Sequence, residues 1–134
     1  MTEETAVKLW EPSAERIAAA TVSRFIEHVN AKHGAGAEDF ESLYDWSVTA
    51  PETFWSALWD FSEVIGEKGA RVLIDGDRMP GAKYFPDARI NFAENLLRRR
   101  DAADAIVFWG EDKVRRRLSF ADLYADVSRT AQAL

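Results

Sequence analysis

Apolar positions in the first third of the chain recur at helical spacing. Over residues 12–34, Ile17, Val22, Phe25, Ile26 and Val29 fall on one stripe, with Ser13 placed to cap its start and Gly34 and Gly36 to let the chain leave. This predicts one helix. Phe40, Leu43, Tyr44 and Trp46 predict a second, short one from Asp39 to about Trp46. A third is expected from Pro51 to about Phe61, entered through Thr49-Ala50-Pro51-Glu52. There Thr and Glu stand in capping-box register, and Pro sits in the first turn, where its missing N–H costs nothing. Phe54, Trp55, Leu58, Trp59 and Phe61 leave little of that helix polar, so something must cover it.

The pattern then shortens. Residues 71–75 read as a brief strand, followed by turn chemistry at Asp75-Gly76-Asp77 and Met79-Pro80-Gly81-Ala82. Asn91, with Glu94 three residues on, is placed to cap another helix, which closes at Arg98-Arg99-Arg100. On it Phe92, Leu96 and Leu97 are core candidates, and Asn95 is expected to hydrogen-bond to loop backbone. Residues 105–109 and 114–118 read as two strands joined through Gly110-Glu111-Asp112-Lys113. Ser119 caps a last helix, helped by Asp122 at its third position and by a staple of Leu118 with Leu123. Its face of Phe120, Leu123, Val127, Ala131 and Leu134 meets no stop signal, which leads us to expect the front piece of something longer. A lone two-stranded hairpin is marginal in water, so further strands are expected downstream. The change of texture near Asp101 is the expected boundary, dividing 1–100 from 101–134. The fold class is α+β, mainly helical at first, with a hairpin and helix after it.

Composition narrows the class. At 134 residues with 47% hydrophobic and 12% aromatic content, the chain is able to bury a core. A formal net charge of -6 lacks the field that nucleic acid or an anionic membrane surface would require. There is no cysteine, hence no disulfide, thiolate nucleophile or zinc-thiolate site, which suits a reducing cytoplasm. Met1 to Lys8 show no signal-peptide pattern, and no apolar run is long enough to span a bilayer.

Candidate chemistry is thin. No glycine-rich nucleotide loop is present, and Gly34-Ala35-Gly36 has no strand before it, so a helix exit outweighs a phosphate site. His28 and His33 are five apart, on different faces of a helix, where a zinc pair needs i and i+4. Arg98 to Arg100 sit where cations offset a helix dipole, and Arg115 to Arg117 alternate across a strand; solvation or ion pairing accounts for both, with phosphate recognition as the rival. Trp55, Trp59 and Phe61 suggest a base-stacking platform, yet Glu52, Asp60 and Glu63 beside them favour core packing. Asp75 and Asp77 flank a turn glycine for local reasons. No residue stands out as catalytic, cofactor-binding or metal-binding.

One segment carries a family signature. Trp46-Ser47-Val48 followed by Pro51-Glu52-Thr53-Phe54-Trp55 resembles the opening signature of acetyl-CoA-synthetase-like enzymes, within the adenylate-forming ligase superfamily. Met79-Pro80-Gly81-Ala82, Tyr84-Phe85-Pro86 and Arg89-Ile90-Asn91-Phe92-Ala93-Glu94-Asn95-Leu96-Leu97 resemble the corresponding run of the acetoacetyl-CoA synthetase subfamily, with Tyr84 where that subfamily usually has Trp. The opening Trp10-Glu11-Pro12-Ser13 with Arg16-Ile17 is similar as well. The resemblance implies that 1–100 is a helical N-terminal region, and that 101–134 begins the α/β adenylate-forming catalytic domain. It implies a ligase joining acetoacetate to AMP from ATP with magnesium, then passing the acyl group to CoA. The family's ATP loop, nucleotide-holding residues, hinge Asp and C-terminal lysine have no counterpart in these residues. The implied partner is therefore the rest of the catalytic domain, which the aromatic helix would anchor, and the segment alone would be inactive. Acetyl- or propionyl-CoA synthetase is the nearer alternative. A non-catalytic interaction module is the other; it would bury its aromatics within 1–97 and stay monomeric, whereas a fragment of a ligase would expose apolar surface near 105–134 and self-associate.

Overall fold

The computed structural model describes residues 9–134; the signal-peptide reading of Met1 to Lys8 falls outside them. In chain order the elements are α1 (Ala14–Ala18), α2 (Thr21–His33), α3 (Phe40–Thr49), α4 (Pro51–Phe61), β1 (Gly66–Glu67), β2 (Leu73–Ile74), β3 (Lys83–Tyr84), β4 (Arg89–Ile90), α5 (Phe92–Leu96), β5 (Asp104–Trp109), β6 (Arg115–Ser119) and α6 (Phe120–Ala133). They gather into two compact units. The first runs to Glu63 and adds Lys68–Asp87; the second takes Val64–Glu67 and Ala88–Leu134.

In the first unit the single helix expected over 12–34 is two. Ser13 caps α1 as predicted, accepting from the Arg16 N–H at 3.2 Å, but the chain breaks at Ala19-Ala20, where Ala20 is extended. Three consecutive alanines, 18 to 20, offer no large side chain to hold a continuous helix against a core. The freed Ile17 carbonyl is satisfied instead by the Ser23 hydroxyl at 2.6 Å and the Ala20 N–H at 3.1 Å. Ile17 and Val22 consequently stay exposed, and the buried part of the stripe is Phe25 with Val29. Around them Ala37, Leu43 and Ala57 complete the core, flanked by Trp46, Phe54, Leu58 and Phe61. The rings meet at an angle: Phe25 lies 5.8 Å from Phe54, edge-on, and 5.0 Å from Phe61.

Thr49 does not cap α4. It ends α3, its hydroxyl donating back to the Asp45 carbonyl at 2.8 Å, while Ala50 takes the N-cap position without a side-chain bond. Pro51 at the first turn already removes one free N–H, which lessens the need for a cap. The true capping box is at α3, where Asp39 accepts from the Ser42 N–H at 2.9 Å and Ser42 Oγ accepts from the Asp39 N–H at 3.0 Å. Serine, not Glu, closes it. The cover that α4 requires comes partly from the antiparallel β2–β3 pair, Leu73 opposite Tyr84 and Ile74 opposite Lys83. Tyr84 packs on Trp55 at 5.1 Å and Phe85 on Trp59 at 4.8 Å.

The second unit is built from β1 paired with β4, the short helix α5, and the β5–β6 hairpin leading into α6. Asn91 caps α5 and Ser119 caps α6, each accepting an N–H three residues on, at 3.2 and 3.1 Å. The Asp122 carboxylate meets the Ser119 hydroxyl at 2.6 Å. Of the three core candidates on α5, Leu97 is buried and Phe92 and Leu96 are exposed. A five-residue helix has one short inward face, which Asn95 takes, and Leu97 is buried as the C-cap residue just beyond it.

Phe25→Ala is expected to cost about 3–5 kcal/mol, and Ile17→Ala less than about 0.5 kcal/mol, read as shifts of the urea midpoint. Equal losses at the two positions would contradict the broken-helix core.

Candidate functional site

The residues singled out in the sequence are drawn mainly into packing. His28 lies against the rings of Phe25 (6.4 Å) and Phe61 (5.4 Å), and His33 is 6.2 Å from Trp46. Among the described residues no three His, Asp or Glu side chains gather as a metal site would require. Gly34 is left-handed (φ 61°) and its N–H closes on the Asn30 carbonyl at 3.1 Å, the geometry of a helix exit. Asp75 turns back to Arg78 through both backbone and side chain.

In the first unit the signature residues come together. Val48, Pro51, Phe54 and Trp55, with Leu73 and Tyr84, line a cleft of about 320 Å³. It contains no carboxylate, amine or imidazole, and the Ser47 hydroxyl at its edge is engaged by the Tyr44 carbonyl at 2.6 Å. Such a surface receives apolar groups. Two polar braces were not visible in the sequence. Lys68 Nζ reaches Asp60 at 2.7 Å and Ser56 Oγ at 3.0 Å, and Arg71 forks onto both oxygens of Asp87, Nε to Oδ2 at 2.8 Å. Their partners lie 8 to 16 positions away, outside any helical or strand period. The Arg71 guanidinium, chiefly by its hydrogen bonds, holds the Asp87 carboxyl below the ordinary carboxylate range, and Asp87 raises Arg71 in turn.

In the second unit Asn95 does what its position predicted. Its Oδ1 accepts from the Ile65 N–H at 2.9 Å, and its Nδ2 donates to the Ile65 carbonyl at 2.8 Å and the Asn91 carbonyl at 3.0 Å. Each arginine of the run following α5 has its own contact. Arg98 donates to Asn95 Oδ1 at 2.7 Å, Arg99 to Asp101 at 2.6 Å while lying over Phe120, and Arg100 stacks 3.8 Å from the Tyr124 ring centre. The Arg99 bond, then the Ala103 N–H, holds Asp101 below the usual range. Arg100 and Tyr124 border a cleft of about 300 Å³ that Glu94 also lines. In the strand run Arg115 lies over Trp109 at 4.6 Å and Arg117 pairs with Asp104. These groups brace; none is arranged as a nucleophile with its base.

Comparison with known proteins agrees over nearly the whole chain. Residues 40–96 match the family model for the acetyl-coenzyme A synthetase N-terminus. An acetoacetyl-coenzyme A synthetase of Rhizobium meliloti is 46% identical over 126 residues, and an acetoacetyl-CoA synthetase of Xenopus tropicalis 30% over 132; each alignment takes in 94% of this chain. The chain spans 19% of the length of both relatives. The solved structure of acetoacetyl-CoA synthetase from Streptomyces lividans superposes with a TM-score of 0.84 at 37% identity, over 96% of this chain and 21% of that one.

Replacing Asn95 by Leu strands both backbone groups of Ile65, and a loss of about 1–3 kcal/mol is expected in thermal unfolding. An unchanged melting temperature would deny Asn95 that role. A carboxylate depressed by its partner lends stability above its unfolded value of about 3.9, and that stability is lost as pH falls through the lower folded value. Asp87→Asn should therefore lower stability at neutral pH and flatten its acid decline, seen as melting temperature against pH; an unchanged slope would discount the Arg71 fork.

Proposed function

Because this chain is a homologue of the N-terminal region of acetoacetyl-CoA synthetases, we propose that it serves as the structural front segment of an acetoacetate–CoA ligase. The observation that carries the reading is the superposition at 37% identity, which extends over 96% of the chain. In the reaction proposed for the whole enzyme, the acetoacetate carboxylate attacks the α-phosphorus of ATP. Diphosphate leaves, and the thiol of CoA then displaces AMP from the acyl-adenylate. Both steps need cations and backbone donors aligned on phosphate oxygens.

The described residues do not fit ATP or its magnesium: no acidic cluster gathers, no glycine-rich loop opens a helix, and Arg99, Arg100 and Arg117 are engaged by acids and rings. That chemistry, and the binding of CoA, belongs to the remainder of the ligase. This segment contributes packing surface. In this reading 1–100 is the helical N-terminal region, 101–134 opens the catalytic domain, and the protein works in the cytoplasm. Among the described residues no helix is long and apolar enough to cross a membrane. The match of 40–96 to an acetyl-coenzyme A synthetase model keeps acetyl or propionyl as the rival acyl group.

Grafting this chain in place of the matching segment of the Streptomyces enzyme tests the proposal. The chimera should release diphosphate in response to acetoacetate within about tenfold of the parent rate, and the chain alone should release none. A folded but inactive chimera, or activity in the chain alone, would refute it.

A further inference from the structure

Helix α3 carries two apolar faces, and the first unit uses only one of them. Leu43 is buried in the core and Trp46 packs against it, whereas Phe40, Tyr44 and Val48 recur every fourth residue along another side and are 70%, 59% and 61% exposed. The stripe does not stop with the helix. Val48 also lines the signature cleft, whose Pro51 and Tyr84 extend the apolar track. Single exposed apolar side chains are ordinary, but a track of this continuity marks a contact surface. The aromatic residues of α4, expected to anchor the rest of a ligase, are engaged within the unit itself, Trp55 by Tyr84 and Trp59 by Phe85. The outward side of α3 is what the unit leaves to offer.

The border of the stripe carries one sign of charge. Glu41 and Asp45 each follow a stripe residue, so they form a rail along its flank, about 100° further round the helix. Both are exposed, and among the described residues neither takes part in an ion pair. Between Lys32 and Lys68 the sequence has eight Asp and Glu and no Lys or Arg, and Lys68 is held by Asp60 at 2.7 Å. A matching surface must therefore bring its own cations. A second copy of the same face cannot, because it would set carboxylates against carboxylates. The relatives of which this chain spans 19% have a long further polypeptide. A covalently linked partner is held at high effective concentration, so that a stripe of three side chains suffices.

We propose, on the basis of the ligase reading above, that the outward stripe of α3 docks onto the remainder of the ligase. The facing element is amphipathic, carries Lys or Arg opposite Glu41 and Asp45, and sends one apolar side chain into the signature cleft. Contact with Phe40, Tyr44 and Val48 supplies the attraction, and the acidic rail fixes the direction of the contact and excludes acidic surfaces. Where that element is a helix, cations four positions apart match the spacing of Glu41 and Asp45.

Hydroxyl-radical oxidation of the polypeptide as its own gene expresses it, read by mass spectrometry, tests this. The same polypeptide in urea sets the reactivity of a fully exposed ring. In the native state Phe40 should be oxidised as slowly as the core ring Phe25, which is 5% exposed. Glu41→Lys with Asp45→Lys sets cations against cations and should bring Phe40 up to its urea value while Phe25 stays protected. Glu41→Gln with Asp45→Asn keeps the side-chain shapes, leaves the facing cations unmatched, and should raise Phe40 by less. A native Phe40 that reacts as it does in urea overturns the proposal. So does protection that survives both charge changes, or protection that fades on dilution, the mark of a second copy. The readout is mass, not turnover. Diphosphate release by the chimera beside a freely oxidised Phe40 refutes the docking alone, and a protected, charge-sensitive Phe40 beside an inactive chimera refutes the ligase reading alone.

Discussion

The structure depends on satisfying loop backbone where no sheet is available to do it, and two asparagines meet that need in the same way. Asn30 donates from Nδ2 to the Ala37 carbonyl at 2.7 Å and accepts at Oδ1 from the Ala37 N–H at 2.9 Å. Asn95 makes the same pair of bonds to Ile65 across thirty positions. A primary amide offers one plane with a donor and an acceptor side by side, so it replaces the partner that a neighbouring strand would provide. Ala37 is almost wholly buried, and leaving its two groups unpaired would cost about 1–3 kcal/mol each. With them paired, the left-handed exit at Gly34 can fold back and seat Ala37 beside Phe25 and Val29. Held by Asn95, Ile65 delivers Gly66 to Ile90 and Glu67 to Arg89. Gly66 tolerates the approach because a Cβ there would lie 2.6 Å from the Arg89 carbonyl.

Helix α4 shows what the second constraint is, namely too much apolar surface for one core. Phe54 and Leu58 pack toward α2, whereas Trp55 and Trp59 receive Tyr84 and Phe85 from the loop-rich stretch that follows. Phe85 accepts a left-handed backbone (φ 45°) to do so, at a cost of about 1–2 kcal/mol, its N–H bonded to the Val72 carbonyl at 2.8 Å. The ring contact and that bond offset the strain. Across the base of the same stretch, Arg71 and Asp87 close the chain into a loop, and Gly69 lies so near Asp87 that a Cβ would meet it at 2.6 Å. The family signature is thus a packing signature: its Pro and aromatic residues form the floor onto which a loop with little secondary structure is laid.

Much of this was legible from spacing. Caps at Ser13, Asn91 and Ser119, the bounds of α4, the hairpin and the amide role of Asn95 all rest on interactions within a few residues or on a polar group set among apolar ones. What escaped was governed by tertiary contact. Thr49 and Glu52 had the right register for a capping box, but a helix already ended at Thr49 and Pro51 needed no donor satisfied. The break at Ala19-Ala20 follows from where Phe25 and Val29 find a core, which no local propensity records. Phe92 and Leu96 look internal in a sequence window, yet with Leu123 and Val127 they line an apolar groove of about 420 Å³. The Lys68 and Arg71 braces join residues with no periodic relation.

Arg99 and Arg100 show how a cationic run is taken up by neighbouring rings and acids. A phosphate site needs guanidinium groups converging on one point with donors unspent. Arg99 and Arg100 instead diverge, one over Phe120 and onto Asp101, the other over Tyr124, so the flat face of each group is used against a ring. Both rings belong to the first turns of α6, and the Ala121 N–H reaches the Asp101 carbonyl at 3.1 Å. The run therefore fastens the start of α6 to the segment that follows α5. A ligand anion would have to displace these contacts one by one, each held at short range, while the chain's net charge of -6 repels it from a distance. Charge of one sign, placed in a run, is here divided among neighbours that each fix a direction of the backbone.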